Sequence, residues 1–227
     1  MKAVFFDFDG TLTCKGKNIW RTIWEECGYD ISSSSYYASL LRKFLSKKMT
    51  HQEWCDLTCE KFRQANFDYE TLMKLAKTIK LIDGVEETLK QLKENEFRLY
   101  VVSGNIISVI NEALGKTSRL FDGIMANDLQ FDKFGKLKHI KGTNYDFEGK
   151  ARFINEFKAA TNSPAKDLFF VGNGGNDEWA HLSGCNTICI NPDETDFSNN
   201  TKWHKVIDNS SNLTDILKYI MSDCKGM

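Results

Sequence analysis

The sequence predicts an α/β fold with a mainly parallel sheet, interrupted after its first strand by a helical insertion. Short apolar runs with β-branched and aromatic character recur along the chain, as buried parallel strands require. Between several of these runs, apolar residues recur at helical spacing with charged residues between them. Strands that alternate with helices in this way favour a parallel sheet.

The predicted strands are short and are separated by helical segments. In chain order they are residues 3–6, 99–102, 123–126, 168–171 and 187–190. Helices are predicted over residues 85–93 and 151–160, where apolar positions recur every three or four residues. Residues 131–138 are typical of a hairpin, with Gly135 at its turn.

One long stretch, from about residue 17 to residue 80, has helical but no strand patterning. Apolar residues recur there at three- and four-residue intervals, as in Ile19, Trp20, Ile23, Trp24 and Cys27. The spacing of Thr50 and Glu53 predicts a capping box at the start of a further helix. We therefore predict a core of residues 1–13 and 84–227, and a helical insertion of residues 14–83, which we call the cap.

The composition excludes several classes of protein. Lys and Arg number 30 against 31 Asp and Glu, which leaves a net charge of -1 and disfavours nucleic acid or an anionic membrane as the partner. Hydrophobic residues make up 41% of the chain, too many for a disordered protein. No apolar run approaches the roughly 20 residues that span a bilayer. Seven cysteines without a CxxC pair suit reduced thiols, so we expect a cytoplasmic protein.

The chemistry-bearing residues cluster at predicted strand ends. Asp7 and Asp9 follow the first strand, in the position where open parallel sheets bind ligands. Asp and Gly are also ordinary turn residues, so this pair alone leaves a structural turn open. Ser103 and Gly104 follow the second strand, where a hydroxyl and backbone N–H groups at a helix start would hold an anion. Ser103 could equally be a helix N-cap.

Two further features complete the set. Lys150 opens a predicted helix, although a lone Lys is most often solvated surface. The fourth strand ends in a glycine-rich segment, residues 172–177, which lets the backbone approach a ligand and carries Asp177. The order of an Asp pair, a Ser, a Lys and an acidic glycine-rich loop indicates a site for one anion and one hard cation.

These motifs resemble those of the haloacid dehalogenase superfamily of phosphohydrolases. The family's first motif, DxD followed by Gly, Thr and Leu, is similar to residues 7–12, and its GDGxND motif is similar to residues 172–177. Its conserved Ser or Thr and its Lys resemble Ser103 and Lys150. The helical insertion and the hairpin make the chain most similar to the phosphoserine phosphatase branch. The resemblance covers nearly the whole chain and implies a Rossmann-like core, with helices on both faces of the sheet, and a small helical cap.

The resemblance also implies a phosphoaspartyl mechanism acting on a small phosphorylated metabolite. Asp7 is expected to attack the phosphorus, and Asp9 to protonate the leaving oxygen and then to activate water. The phosphoryl oxygens are expected to bind a set of donors from the second strand, the helix and the fourth-strand loop: Ser103, Gly104, Lys150 and Asn176.

The resemblance further implies Mg²⁺, bound by Asp7, by the backbone carbonyl of Asp9 and by the fourth-strand loop through Asn173 and Asp177. Asn173 departs from the family, which has Asp there, so weaker Mg²⁺ binding is expected. The cap also lacks clear counterparts of the Glu and Arg with which phosphoserine phosphatases recognise their substrate. We therefore expect a substrate other than phosphoserine.

Two alternative functions stay open. A phosphotransferase or phosphomutase would use the same intermediate with an alcohol as acceptor. A catalytically weakened phosphate-binding regulatory protein would be consistent with Asn173. The cap is expected to contact the non-phosphate part of the substrate, with Trp20 and Trp24 as candidates for either specificity or core packing. The sequence predicts no particular oligomeric state.

Overall fold

A seven-stranded sheet forms the centre of the described part of the chain. The computed structural model describes residues 1–16, 18–193 and 202–222. The strands are β1 (Ala3–Phe6), β2 (Arg98–Ile106), β3 (Gly123–Phe131), β4 (Leu137–Lys141), β5 (Leu168–Gly172), β6 (Asn186–Ile190) and β7 (Lys205–Ile207). Their order is β4-β3-β2-β1-β5-β6-β7, and only β3 and β4 pair antiparallel. The order reverses at β1, which makes a doubly wound sheet with its switch point there.

Eight α-helices are described. They are α1 (Ile19–Glu26), α2 (Tyr36–Leu45), α3 (His51–Gln64), α4 (Tyr69–Ala76), α5 (Val85–Glu94), α6 (Ile107–Leu114), α7 (Glu148–Thr161) and α8 (Leu217–Ser222). Short 3₁₀ helices cover residues 115–120, 165–167, 178–183 and 213–216.

The two faces of the sheet follow from the two-residue period of a strand. Val4 and Phe6 of β1 are fully buried in one apolar cluster with residues of α5 and α8. Ala3 and Phe5 point to the opposite face and pack in a second cluster with Ile154 of α7. Helices therefore cover both faces, and the predicted Rossmann-like α/β class is confirmed.

The cap contains helices α1 to α4, and each helix begins at a residue whose side chain caps it. Asn18, Ser35, Thr50 and Asp68 each accept a hydrogen bond from a backbone N–H of the first turn. Thr50 forms the predicted capping box with Glu53. Local sequence therefore determines where these four helices begin.

The chain enters and leaves the cap at adjacent points. Thr13 pairs with Leu81 in an isolated antiparallel bridge, and the N–H of Cys14 donates to the carbonyl of Lys80 at 2.9 Å. The cap helices have their own apolar cluster around Trp24 and Phe62. The same cluster also includes residues of β3, β4 and α6, and the division at residues 14 and 83 stays a prediction.

The predicted hairpin is confirmed as β3 and β4, with Gly135 at a φ of +77° in its turn. It contacts the cap along α3. The side-chain amide of Gln52 donates to the carbonyl of Ile140 at 3.0 Å and accepts from the N–H of Gly142 at 2.9 Å. The N–H of Tyr69, at the start of α4, donates to the carbonyl of Gly135 at 2.9 Å. The hairpin and the residues after it thus contact the cap at two helices, α3 and α4.

One prediction about local structure is wrong. Ser103 and Gly104 do not lie at a helix start, because β2 continues to Ile106 and pairs with β3 up to Asn127. Helix α6 begins at Ile107 and has no side-chain N-cap. The β-branched residues on both sides of Ser103 and the continued pairing with β3 extend the strand. Strand β7, which has only three residues, was not predicted from the sequence.

Two expectations from composition can be compared with the structure. No helix in the described part of the chain is long and apolar enough to cross a membrane. Six cysteines in this part are free thiols, four of them buried. Cys224 and Lys17 lie outside the described residues.

Candidate active site

Asp7 and Asp9 follow β1 at the switch point of the sheet. The N–H of Asp7 donates to the carbonyl of Val171 at 2.9 Å, which continues the pairing of β1 with β5 beyond the strand. Asp7 is 4% exposed, whereas Asp9 is half-buried. Gly10 then turns the chain with a φ of +70°, a conformation that glycine adopts without strain. The strand and the turn together direct two carboxylates into one crevice.

Lys150, the third residue of α7, lies fully buried against Asp7. Its Nζ donates to Oδ1 of Asp7 at 2.9 Å and to Oδ1 of Asp177, and it lies 3.8 Å from Oδ1 of Asp146. Burial lowers the pKa of Lys150, but the carboxylates of Asp177, Asp7 and Asp146 outweigh it and raise that pKa above its usual range. Lys150 is therefore a permanent cation at the floor of the site and not solvated surface.

The Asp7 carboxylate experiences opposing influences. Burial and the nearby Asp177 carboxylate raise the pKa of Asp7 above its usual range, and Lys150 opposes them. Burial raises the pKa of the Asp9 carboxyl, and the hydrogen bond from the Asn105 amide lowers it. Burial is the larger effect, and the resulting pKa is about 6. The Asn105 amide donates to both carboxylate oxygens of Asp9, at 2.9 and 3.0 Å. Asn105 thus fixes the direction in which Asp9 points.

The glycine-rich loop after β5 is organised around Asp177, whose side chain is fully buried. Its Oδ2 accepts hydrogen bonds from the N–H groups of Asn173 and Gly174, at 2.8 and 3.0 Å. Its Oδ1 accepts from Lys150. Both oxygens are thus engaged by protein donors. These contacts favour a role for Asp177 in positioning Lys150 and the loop, and its predicted contact with a metal, directly or through water, stays a prediction.

Gly104 takes part in the site through its carbonyl oxygen, and its N–H does not lie at a helix start as predicted. That oxygen accepts from the indole Nε1 of Trp20 at 2.9 Å and from the amide of Asn127 at 2.7 Å. A Cβ at Gly104 would lie 2.6 Å from Oδ2 of Asp146, so a larger residue there would have to displace the Asp146 side chain. Asp146 in turn accepts from the amide of Asn176 at 2.7 Å.

A cavity of about 730 Å³ joins these groups. Six of the eight predicted site residues line it: Asp7, Asp9, Ser103, Gly104, Asn173 and Asn176. Lys150 and Asp177 are fully buried behind this lining. Asn105 and Asp146 also line the cavity and were not predicted from the sequence. Asn105 stands two residues after Ser103 and Asp146 four residues before Lys150, and neither spacing carries a recognisable motif.

The donors present fit a magnesium ion that keeps most of its water ligands. In residues 1–16, 18–193 and 202–222, no three His, Cys, Asp or Glu side chains are arranged to hold a metal. The side chain of Asn173 lies against Gly10, beside the Asp7 turn, and forms no hydrogen bond with other described residues. A carboxylate, a backbone carbonyl and an amide oxygen are hard ligands of the kind Mg²⁺ accepts.

The fold and the site are those of an α/β enzyme whose ligand binds at a topological switch point. Residues 1–180 match the protein family described as haloacid dehalogenase-like hydrolase. The chain therefore belongs to the haloacid dehalogenase-like hydrolases, and the family predicted from the motifs is confirmed.

Curated relatives of the chain are phosphoserine phosphatases. The chain is 31% identical over 108 residues to the enzyme of Archaeoglobus fulgidus, a match that covers 48% of this chain and 31% of that protein. It is 28% identical over 116 residues to that of Streptomyces coelicolor, covering 50% of this chain and 27% of the relative. The matches thus span less than a third of the length of these relatives.

Solved structures of similar fold cover nearly the whole chain. A phosphoserine phosphatase described as substrate-bound has a TM-score of 0.71 at 23% identity, covering 96% of this chain and 98% of that one. A phospho-aspartyl intermediate analogue of phosphoserine phosphatase has a TM-score of 0.70 at 24% identity, with the same coverage. At these identities the likeness supports the fold.

Proposed function

We propose that this protein is a Mg²⁺-dependent phosphomonoesterase that hydrolyses a small phosphorylated metabolite through a phosphoaspartyl intermediate on Asp7. One observation carries the proposal. The carboxylates of Asp7 and Asp9 line a single cavity, and a fully buried ammonium, Lys150, donates to Asp7 at 2.9 Å. A nucleophile, an acid and a cation thus converge where a phosphoryl group would bind.

In the first half-reaction a carboxylate oxygen of Asp7 forms a bond to phosphorus while the bond from phosphorus to the leaving oxygen breaks. Asp9 transfers its proton to that leaving oxygen, and Asn105 holds its carboxyl group in place. Lys150 and the Ser103 hydroxyl stabilise the charge on the phosphoryl oxygens. The products are an alcohol and an acyl phosphate on Asp7.

In the second half-reaction water attacks the phosphorus of the acyl phosphate. Asp9, now a carboxylate, accepts a proton from this water, and the bond between phosphorus and the Asp7 oxygen breaks. Inorganic phosphate leaves, and both aspartates return to their initial state. One side chain therefore acts first as an acid and then as a base.

Asp7, the backbone carbonyl of Asp9 and Asn173 would hold the magnesium ion. When bound, it supplies positive charge that lowers the pKa of Asp7 and reduces repulsion between this nucleophile and the phosphate. Asn173 provides a neutral oxygen where a carboxylate would add a negative charge, so the affinity for Mg²⁺ is expected to be modest.

The cap, residues 14–83, would close over the cavity and contact the leaving group, and residues 1–13 and 84–227 would form the catalytic core. The adjacent entry and exit of the chain at Thr13 and Leu81 support this division. The free thiols of the described cysteines suit a reducing compartment, which supports a cytoplasmic enzyme.

Substitution of the two aspartates tests the mechanism. Asp7→Asn is expected to abolish release of phosphate from a generic aryl phosphate, because a carboxamide is not a competent nucleophile. Asp9→Asn is expected to slow release by on the order of 10² to 10⁴, the usual contribution of general acid-base catalysis. Asp208→Asn, at an exposed position after β7, is the matched control and should keep full activity.

The intermediate is tested by acid quenching with ³²P-labelled substrate. Wild-type protein should retain label that hydroxylamine removes, as an acyl phosphate requires, and Asp7→Asn should retain none. Full turnover by Asp7→Asn would exclude the proposed nucleophile. Phosphate binding without turnover would favour the regulatory alternative, and transfer of label to an added alcohol at the expense of water would favour a phosphotransferase.

A further inference from the structure

The cavity has two chemically different sides. The core side carries the polar groups described above, centred on Asp7 and Asp9. The cap side is lined mainly by large apolar and aromatic residues: Trp20, Tyr37, Leu41, Phe44, Leu45 and Trp54. A leaving group attached to a phosphoryl group at Asp7 would extend towards this second side, since the cap lies across the cavity from the strand ends.

The aromatic residues on the cap side form a continuous wall. The rings of Trp20 and Trp54 pack edge to face with centroids 5.0 Å apart, and Phe44 lies 6.4 Å from Trp54. Phe147, from the core, closes the wall at 6.2 Å from Phe44. We call Trp20, Phe44, Trp54 and Phe147 the aromatic wall. Neighbouring rings hold one another in place, so the wall is a preformed surface.

The cap adds little charge to this cavity. Among its described lining residues, Lys15 carries a formal charge, and its Nζ donates to the carbonyl of Pro192 at 3.0 Å. His51 also lines the cavity, but burial lowers its pKa and favours the neutral ring. Lys15 and the core carboxylates Asp146 and Asp193 also line the cavity, but the aromatic wall itself has no charged side chain. An amino-acid leaving group would bring an ammonium and a carboxylate against this wall, where burial of a charge without an ion-pair partner is costly.

We propose that the substrate is a phosphomonoester with an uncharged, apolar leaving group of several carbons that packs against the aromatic wall. The inference rests on the proposed function, because it requires the phosphoryl group to bind at Asp7. The cavity volume of about 730 Å³ leaves room for such a group beyond the phosphate. The core side binds the phosphoryl group, and the cap side selects the ester by its apolar surface.

A series of n-alkyl phosphates from ethyl to octyl tests the inference. The leaving alcohols have nearly equal pKa values, so differences in kcat/KM report contacts with the chain. Each added methylene should raise kcat/KM by up to about fourfold while it packs against the wall. Phosphoserine should be a poorer substrate than ethyl phosphate. Binding of the matching n-alkylphosphonates, measured by calorimetry with Mg²⁺ present, should show the same rise.

Three variants test whether the cap side of the cavity causes the preference among these substrates. Phe44→Ala should flatten the dependence on chain length, and Phe134→Ala, an aromatic residue that is 74% exposed on the hairpin, is the matched control. Leu45 is 53% exposed at the cavity, so Leu45→Arg places a cation there without burying it. This variant should improve phosphoserine relative to hexyl phosphate by about two- to fivefold, a gain that misfolding cannot produce.

The outcomes separate the two proposals. A flat series, or a preference of the wild type for phosphoserine over every alkyl ester, would overturn the apolar assignment while leaving the phosphatase intact. If phosphonate affinity rises with alkyl chain length but no ester is hydrolysed, the proposed function is excluded and the apolar site is supported. If the protein neither hydrolyses any ester nor binds any phosphonate, both proposals are excluded.

Discussion

Replacing Asp177 with Asn removes one of the two carboxylates that accept a hydrogen bond from the buried Lys150 ammonium. Asp177 and Lys150 have fully buried side chains, and that of Asp7 is 6% exposed. The Asn side chain can still accept hydrogen bonds from the N–H groups of Asn173 and Gly174 through its oxygen. Its NH₂ group would then face Lys150, placing donor against donor. The change therefore affects the position of Lys150 with little effect on the loop.

The cost can be bounded from these contacts. Breaking a buried ion pair costs about 3 to 5 kcal/mol, but Asp7 remains as a partner and loses the repulsion of Asp177. We therefore expect a net loss of about 1 to 3 kcal/mol in the free energy of unfolding. For a chain of this size each kcal/mol lowers Tm by about 2 to 4 °C, which gives a decrease of about 2 to 12 °C. The value of kcat should fall by on the order of 10 to 10³, because Lys150 is no longer held against the phosphoryl oxygens.

Thermal unfolding and a magnesium titration of activity together check this prediction. If Asp177 positions Lys150, kcat falls while the half-saturating Mg²⁺ concentration changes by less than about threefold. A rise of about tenfold or more in that concentration, with kcat preserved at saturation, would refute the reasoning and identify Asp177 as a metal ligand. Asp208→Asn serves again as the control.

Three other substitutions give distinct expectations. Asn173→Asp adds a carboxylate beside Asp7, so the half-saturating Mg²⁺ concentration should fall at least severalfold in the same titration, and an unchanged value would place the metal elsewhere. Trp24→Ala should lower stability by about 3 to 5 kcal/mol without altering the order of substrates, since Trp24 is fully buried among rings and does not line the cavity. Trp20→Phe should instead alter the order of substrates, because it removes the hydrogen bond to the Gly104 carbonyl at the site. Thermal unfolding and the alkyl phosphate series distinguish the effect of Trp20→Phe from that of Trp24→Ala.

Trp20 and Trp24 show what helical periodicity in a sequence can predict and what it cannot. Both lie on the apolar side of α1, and spacing alone treats them alike. In the structure Trp24 packs against Tyr37 and Phe62 in the cap, whereas Trp20 reaches the cavity and the carbonyl of Gly104. Helical periodicity predicts which residues are buried. It does not predict which part of the protein covers each of them.

Local signals also account for what was predicted of the fold. The apolar runs of β1 and β5 and the capping residue Thr50 act through neighbours in the chain, so the sequence shows them directly. The extension of β2 through Ser103 depends on pairing with β3, and β7 depends on pairing with β6. Pairing between distant segments is a tertiary property that no local pattern carries.

The sequence by itself determined the α/β class, the family and the identity of the residues with candidate chemistry, because these depend on residue type and short spacing. Tertiary structure alone decided that Lys150 is buried between Asp7 and Asp177, that Asn105 holds Asp9, and that the cap side of the cavity is aromatic. These contacts join residues far apart in the chain. Their distances and burial, and hence their charges and pKa shifts, exist only once the sheet and the cap have packed together.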